Sequence, residues 1–131
     1  MKKDYMLGID VGTSATKTLL VDQYGNVVSE ASCNYPLHNP RPNWFEQDPE
    51  DWWIAVQTTI RNVISGFSEA NKIIGIGLSG QMHGLVALDS DSNVVRPSII
   101  WSDQRNFDQC RWVHEKCGGI DTCENSRTIV C

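Results

Sequence analysis

The sequence has no apolar stretch approaching the roughly 18 residues needed to span a bilayer, so a helical membrane span is excluded. Adjacent basic residues occur only once, at Lys2-Lys3. Eleven Lys and Arg against sixteen Asp and Glu leave a net charge of −5. No nucleic acid partner is expected, because such a footprint needs clustered cations. The start, Met1-Lys2-Lys3-Asp4, has the positive end of a signal peptide but not its apolar middle, since Asp10 interrupts after Tyr5 to Ile9. No export signal is read, and the expected location is cytoplasmic. The five cysteines, Cys33, Cys110, Cys117, Cys123 and Cys131, are odd in number and include no C-x-x-C pair. That spacing supports neither a disulfide framework nor a zinc site, and reduced thiols are expected.

What is present is enough for one ordinary domain. A chain of 131 residues, 40% hydrophobic and 8% aromatic, buries about two-thirds of its unfolded surface. Its charged fraction of 21% is too low for a disordered segment. No internal repeat or low-complexity stretch is visible.

Tyr5 to Asp10 reads as a strand, Val11 to Ser14 as a turn, and Thr16 to Val21 as a second strand. Asp22-Gln23-Tyr24-Gly25-Asn26 is a hairpin turn, and Val27 to Asn34 a third strand. Residues 35–48 carry Pro36, Pro40 and Pro42 and read as a loop. A helix follows, capped by Asp48, with Pro49 at its first position and Glu50 and Asp51 where the helix dipole favours negative charge. Trp53, Val56, Ile60, Val63, Ile64 and Phe67 form its expected apolar face, and Gly66 fits its end. Ile73 to Leu78 has the continuous apolar character of a buried strand. Leu85 to Leu88 and Ser98 to Trp101 are shorter strands. A second helix is expected from Asp103 to Cys117, with Phe107, Cys110, His114 and Cys117 on one stripe and Gly118-Gly119 stopping it. Ile120 to Cys131 shows no clear pattern. The order, three strands, a helix, more strands and a helix, predicts an α/β layer with a mixed sheet.

Three segments carry chemistry. In Asp10-Val11-Gly12-Thr13-Ser14, a carboxylate at a strand end can hold hydrated Mg²⁺, and Gly12 lets the backbone approach a phosphate. Thr13 and Ser14 add hydroxyl and amide donors, and Lys17 is near in sequence. The same residues also suit a plain tight turn with an ordinary turn acid. In Ser79-Gly80-Gln81-Met82-His83-Gly84, a glycine-bounded loop leaves the apolar strand. Gln81 and His83 can bond hydroxyls while Met82 offers an apolar wall, a mixture suited to a polyol or sugar; a satisfied, half-buried histidine is the alternative. In Trp101-Ser102-Asp103-Gln104-Arg105, Trp101 can lie against a sugar's carbon face. Asp103 can cap the following helix or pair with Arg105 as structural glue. Trp52, Trp53 and Trp112 lie on expected helices and read as core.

Taken together, the segments resemble the amino-terminal half of the FGGY carbohydrate kinases, from Tyr5 to about Gly118. Leu7-Gly8-Ile9-Asp10-Val11-Gly12-Thr13-Ser14 is similar to the family's first phosphate motif. Gly77-Leu78-Ser79-Gly80-Gln81-Met82-His83-Gly84 is the most specific match. Ile99-Ile100-Trp101-Ser102-Asp103-Gln104-Arg105 and Asn43-Trp44-Phe45-Glu46-Gln47-Asp48-Pro49, the latter followed by Trp52-Trp53, complete it.

The resemblance implies a ribonuclease-H-like, actin-like ATPase fold, two such domains closing over ATP and a sugar. Asp10 would act on the Mg²⁺ side, with Gly12, Thr13 and Ser14 on the ATP phosphates. Met82 and His83 would contact the sugar, with Gln81 and Trp101 as weaker candidates for the same wall. Glycerol-specific members carry Arg-Glu where this chain has Met82-His83, which argues against glycerol; the resemblance implies D-xylulose as the first substrate, with gluconate, whose kinases can also carry Met-His, its nearest rival. The base aspartate and adenosine site belong to the family's second domain, which is expected to be the chain's missing partner. No catalytic base is assigned here, and the isolated chain is expected to be inactive. The face that would meet that domain is expected to be apolar enough for an isolated piece to form a homodimer. The reading from another class is a non-catalytic actin-like module that binds a sugar or nucleotide.

Overall fold

The computed structural model describes residues 4–117. Strands β1 (Tyr5–Val11), β2 (Ala15–Asp22) and β3 (Val27–Asn34) form an antiparallel meander. Strand β4 (Glu46–Gln47) is a two-residue piece inside the proline-bearing loop. It precedes helix α1 (Pro49–Ile64). Strand β5 (Ile73–Gly80) then returns parallel to β1, giving a mixed sheet in the order β3-β2-β1-β5. The short strand β6 (Ser98–Ile99) pairs with β4, and helix α2 (Phe107–Lys116) ends the described chain.

Strict alternation builds the core. Tyr5, Leu7 and Ile9 of β1 and Thr16, Thr18 and Leu20 of β2 are buried, while Met6, Asp10 and Lys17 between them are exposed. Tyr5, Leu7 and Leu20 cluster with Val63 of α1, and Phe67 meets the Tyr5 ring edge-on at 4.9 Å. Helix α1 starts as its sequence dictates: the Asp48 side chain accepts from the amide of Glu50 at 2.9 Å, and Pro49 takes the first position. The hairpin turn closes on Asp22, which accepts from the amides of Tyr24 and Asn26 and from the Asn26 side chain. Asp89 repeats that arrangement with Asp91 and Asn93.

The face of α1 is the expected one in part: Val63 is buried, and Val56, Ile60, Ile64 and Phe67 are half-buried. Ala55, Thr59 and Val63, spaced by four, are buried, whereas Trp53 is 56% exposed. The reason is polar. Thr59 donates to the Ala55 carbonyl, so its one proton is used, and the Thr18 hydroxyl 2.7 Å away donates to it in turn. Small side chains at 55 and 59 let the helix come close enough to satisfy Thr18. Trp52, not Trp53, turns inward and is half-buried; Trp112 on α2 is 59% exposed, so neither Trp53 nor Trp112 is core.

Strand β5 is also not buried as its apolar run suggests. Ile74, Ile76 and Leu78 are 65%, 61% and 78% exposed. Among the described residues β5 is an edge strand, and α1 packs over β2 and β3 instead. Leu85 to Leu88 forms no strand; it makes isolated bridges, Leu85 to Ile99 and Leu88 to Val94. Helix α2 begins at Phe107 and not at Asp103, and its N-cap, Asn106, makes no side-chain cap. The expected helix stop at Gly118-Gly119, the segment from Ile120 and the cysteines at 123 and 131 lie outside the described residues. No helix among the described residues is long and apolar enough to cross a membrane.

Candidate active site

Parallel pairing of β1 with β5 puts two carboxyl-terminal strand ends side by side, where ligands bind in open α/β sheets. Asp10 pairs with Ser79 and Val11 with Gly80, and the Gln81 amide extends the ladder to the Val11 carbonyl at 2.9 Å. On its other side Asp10 pairs with Lys17. An open cleft of about 440 Å³ lies over these strands, lined by Asp10, Lys17, Leu19, Leu78 and Ser79 among others. The Lys17 ammonium is turned to Glu30, 3.0 Å away.

The turn after β1 is held at every peptide. The Gly12 amide donates to the Ala15 carbonyl at 3.0 Å. A Cβ at Gly12 would stand 3.2 Å from that carbonyl oxygen, tighter than ordinary contact, so a larger residue there would push the turn apart by a few tenths of an ångström. The hydroxyl of the buried Tyr35 donates to the Gly12 carbonyl, and the Tyr35 amide to that of Ser14. Burial pushes the Tyr35 hydroxyl pKa up, only partly offset by the Thr16 hydroxyl, and Asp10 adds to the rise. The Thr13 carbonyl accepts from Gln47 Nε2 at 2.7 Å. A trans peptide points its C=O and N–H in opposite directions. With the carbonyls of Gly12 and Thr13 tied inward, the amides of Thr13 and Ser14 face away from the core, a donor pair suited to phosphate oxygens.

The loop after β5 carries the hydroxyl-binding candidates. A Cβ at Gly80 would meet the Val11 carbonyl at 3.1 Å, so glycine keeps the two strand ends in contact. His83 has φ 60°, the left-handed region. A non-glycine residue there costs about 1–2 kcal/mol, a strain found preferentially at functional positions. Gln81 and His83 line one cavity of about 230 Å³ with Val11, Trp52, Gly80, Gly84 and Val86. Met82 is 71% exposed and lies outside that lining.

Trp101 joins the first motif, not the second: its Nε1–H donates to Thr13 Oγ1 at 3.1 Å. The segment that carries it is fixed by charge. Asp103, whose side chain is 2% exposed, accepts from the Phe45 amide at 2.7 Å and from both the amide and the side chain of Arg105. Burial pushes the Asp103 carboxyl up, but the Arg105 bonds and charge and the Phe45 amide outweigh it and lower it to about 2. Arg105 also reaches the buried Glu46 at 2.7 Å and stacks 3.9 Å over the Trp44 ring. Of the two roles open to Asp103, pairing with Arg105 is the one it fills, and it caps no helix.

The donor set decides what metal would fit. No three His, Cys, Asp or Glu side chains gather into a metal cluster among the described residues. A single exposed carboxylate beside outward amides suits a Mg²⁺ that keeps its waters and arrives on phosphates, not an all-protein cage.

Two residues of this assembly were not singled out from sequence, Gln47 and Tyr35. Gln47 stands within the segment Asn43 to Pro49, and its glutamine type gives no hint of burial. Tyr35 offers only an aromatic ring ahead of Pro36.

Residues 5–130 match the FGGY family of carbohydrate kinases, N-terminal domain. The chain is 48% identical over 118 residues to the xylulose kinase of Bacillus subtilis, covering 87% of this chain and 23% of that one. It is 34% identical over 126 residues to the gluconokinase of the same organism, covering 96% and 24%. The ligand-bound crystal structure of xylulose kinase from Lactobacillus acidophilus superposes with a TM-score of 0.81 at 34% identity, covering 86% of this chain and 23% of that one. The chain thus spans about a quarter of the length of the relatives it matches.

Proposed function

The chain belongs to the FGGY family of carbohydrate kinases, with their actin-like fold, and on that premise we propose that its full-length protein transfers the γ-phosphoryl group of ATP to a sugar hydroxyl. The substrate we assign is D-xylulose, giving D-xylulose 5-phosphate. The observation that carries this reading is the meeting of the Asp10–Ser14 turn and the Gln81–His83 loop on adjoining ends of β1 and β5.

Phosphoryl transfer is catalysed mainly by positioning and by stabilising charge on the transferring group. The outward amides of Thr13 and Ser14 bind phosphate oxygens, and Asp10 would hold the accompanying Mg²⁺, which when bound spreads the charge of those oxygens. Gln81 and His83 orient sugar hydroxyls from the neighbouring loop. As the hydroxyl oxygen bonds to phosphorus and the bond to ADP breaks, the hydroxyl proton must reach a base. No acid lines the Gln81–His83 cavity among the described residues, so the base is assigned to the second domain of the full-length protein.

A gluconate kinase is the second reading, favoured by the 34% identity to a gluconokinase over nearly the whole chain. Steady-state kinetics of the native full-length protein with ATP and Mg²⁺ decide between them. We expect kcat/KM for D-xylulose to exceed that for gluconate by at least tenfold. The reverse order moves the assignment to gluconate. No turnover of any sugar, or an intact native mass of 14.7 kDa, leaves a non-catalytic binding module.

A further inference from the structure

We propose that Gln47 is a positioning residue that sets the phosphate turn and the sugar loop against each other; this rests on the kinase reading above. Gln47 is 1% exposed, and its amide makes four hydrogen bonds to four separate segments. Nε2 donates to the Thr13 carbonyl at 2.7 Å and to the Pro36 carbonyl at 3.4 Å. Oε1 accepts from Trp52 Nε1 at 3.2 Å and from Gln81 Nε2 at 2.9 Å. A primary amide has two N–H groups and two lone-pair directions, so every one is used and the flipped orientation is forbidden.

The two halves of that amide serve different ligands. The donor half fixes the Thr13 carbonyl, and with it the outward direction of the Ser14 amide on the phosphate side. The acceptor half holds the Gln81 side chain, which lines the cavity on the hydroxyl side. A single planar group therefore keeps both binding motifs in one register. Gln47 touches neither ligand in this arrangement; it acts through Thr13 and Gln81.

The division gives a selective test in the full-length protein. Gln47→Glu keeps an acceptor for Trp52 and Gln81 but, when ionised, presents oxygen to the Thr13 and Pro36 carbonyls. We expect it to raise KM for ATP about tenfold while KM for the sugar stays within about twofold. Burial raises a carboxyl pKa, and the protonated acid regains one donor, so the ATP defect relative to wild type should shrink as pH falls. Gln47→Met, neutral and of similar volume, loses both halves and should raise both KM values. Should the glutamate variant not fold, the methionine variant still decides. Wild-type KM values in Gln47→Met, or a sugar defect equal to the ATP defect in Gln47→Glu, overturn the proposal. A wild-type protein that phosphorylates no sugar overturns the kinase reading and this inference with it, whereas active wild type with unaffected variants removes this inference alone.

Discussion

Trp101 donates its indole N–H to the Thr13 hydroxyl at 3.1 Å, joining residues 88 apart in sequence. The bond ties the segment after β6 to the turn after β1, and it places a large exposed aromatic beside Thr13. Trp101→Phe keeps the ring face and removes only the N–H. We expect kcat/KM for ATP to fall two- to tenfold, as loss of one neutral hydrogen bond worth about 0.5–1.5 kcal/mol implies. KM for the sugar should barely move in Trp101→Phe. A rise in sugar KM confined to Trp101→Ala would instead assign the ring to the sugar wall.

His83 is held in a left-handed backbone conformation beside Gln81 in the smaller cavity. His83→Ala should raise KM for the sugar or lower kcat, by about 1–3 kcal/mol in kcat/KM, with ATP binding little changed. His83→Gly removes the same side chain and relieves the backbone. It should be more stable than His83→Ala by about 1 kcal/mol in denaturant melts while sharing its kinetic defect. A His83→Ala variant more stable than His83→Gly, as the entropy of glycine alone gives, would show that the backbone carries no strain there, and an unchanged kcat/KM would make His83 scaffold.

The carboxyl of Asp103 sits at about 2, below the ordinary 3.8, because Arg105 and two amides bond its ionised form. A depressed carboxyl contributes stability that is present above the unfolded value and is lost as pH falls through the folded one. Asp103 should therefore weaken the fold between about pH 4 and pH 2. The Asp103→Asn variant lacks this titration, and its denaturation midpoint should fall less steeply over that window than that of wild type. Parallel slopes would remove Asp103 from the acid response.

Asp10 is exposed at the end of β1 and no acid cluster surrounds it among the described residues. Asp10→Asn should leave the fold intact and raise the Mg²⁺ concentration needed for half-maximal turnover, with sugar affinity unchanged. Turnover with wild-type Mg²⁺ dependence would return Asp10 to the role of a turn acid.

Local chemistry was readable where it is decided locally. The Asp48 cap with Pro49, the Asp22–Asn26 hairpin and the alternating β1 and β2 all follow from residue type and spacing. The turn at Gly12 and the glycine-bounded loop at 80–84 were likewise legible as irregular segments at strand ends, while the close contacts of Gly12 with Ala15 and of Gly80 with Val11 were not. Apolar content misled where burial depends on neighbours. Ile76 and Leu78 look like core but are exposed on β5, which is an edge strand among the described residues. Trp53 falls on the apolar stripe by spacing but is exposed, whereas the small face of Ala55 and Thr59 meets the threonine hydroxyl of the sheet.

The sequence by itself determined the first three strands, the start of α1, the turn chemistry and the family, because caps, turns and short motifs depend on adjacent residues. Only the tertiary structure decided that Gln47 spans the two motifs, that Tyr35 and Gln47 bind the carbonyls of Gly12 and Thr13, and that Trp101 reaches Thr13. These are bonds between segments far apart in the chain. Which polar groups they satisfy depends on the parallel register of β1 and β5 and on the packing of the loop that carries Gln47, and neither leaves a periodic trace in the amino-acid order.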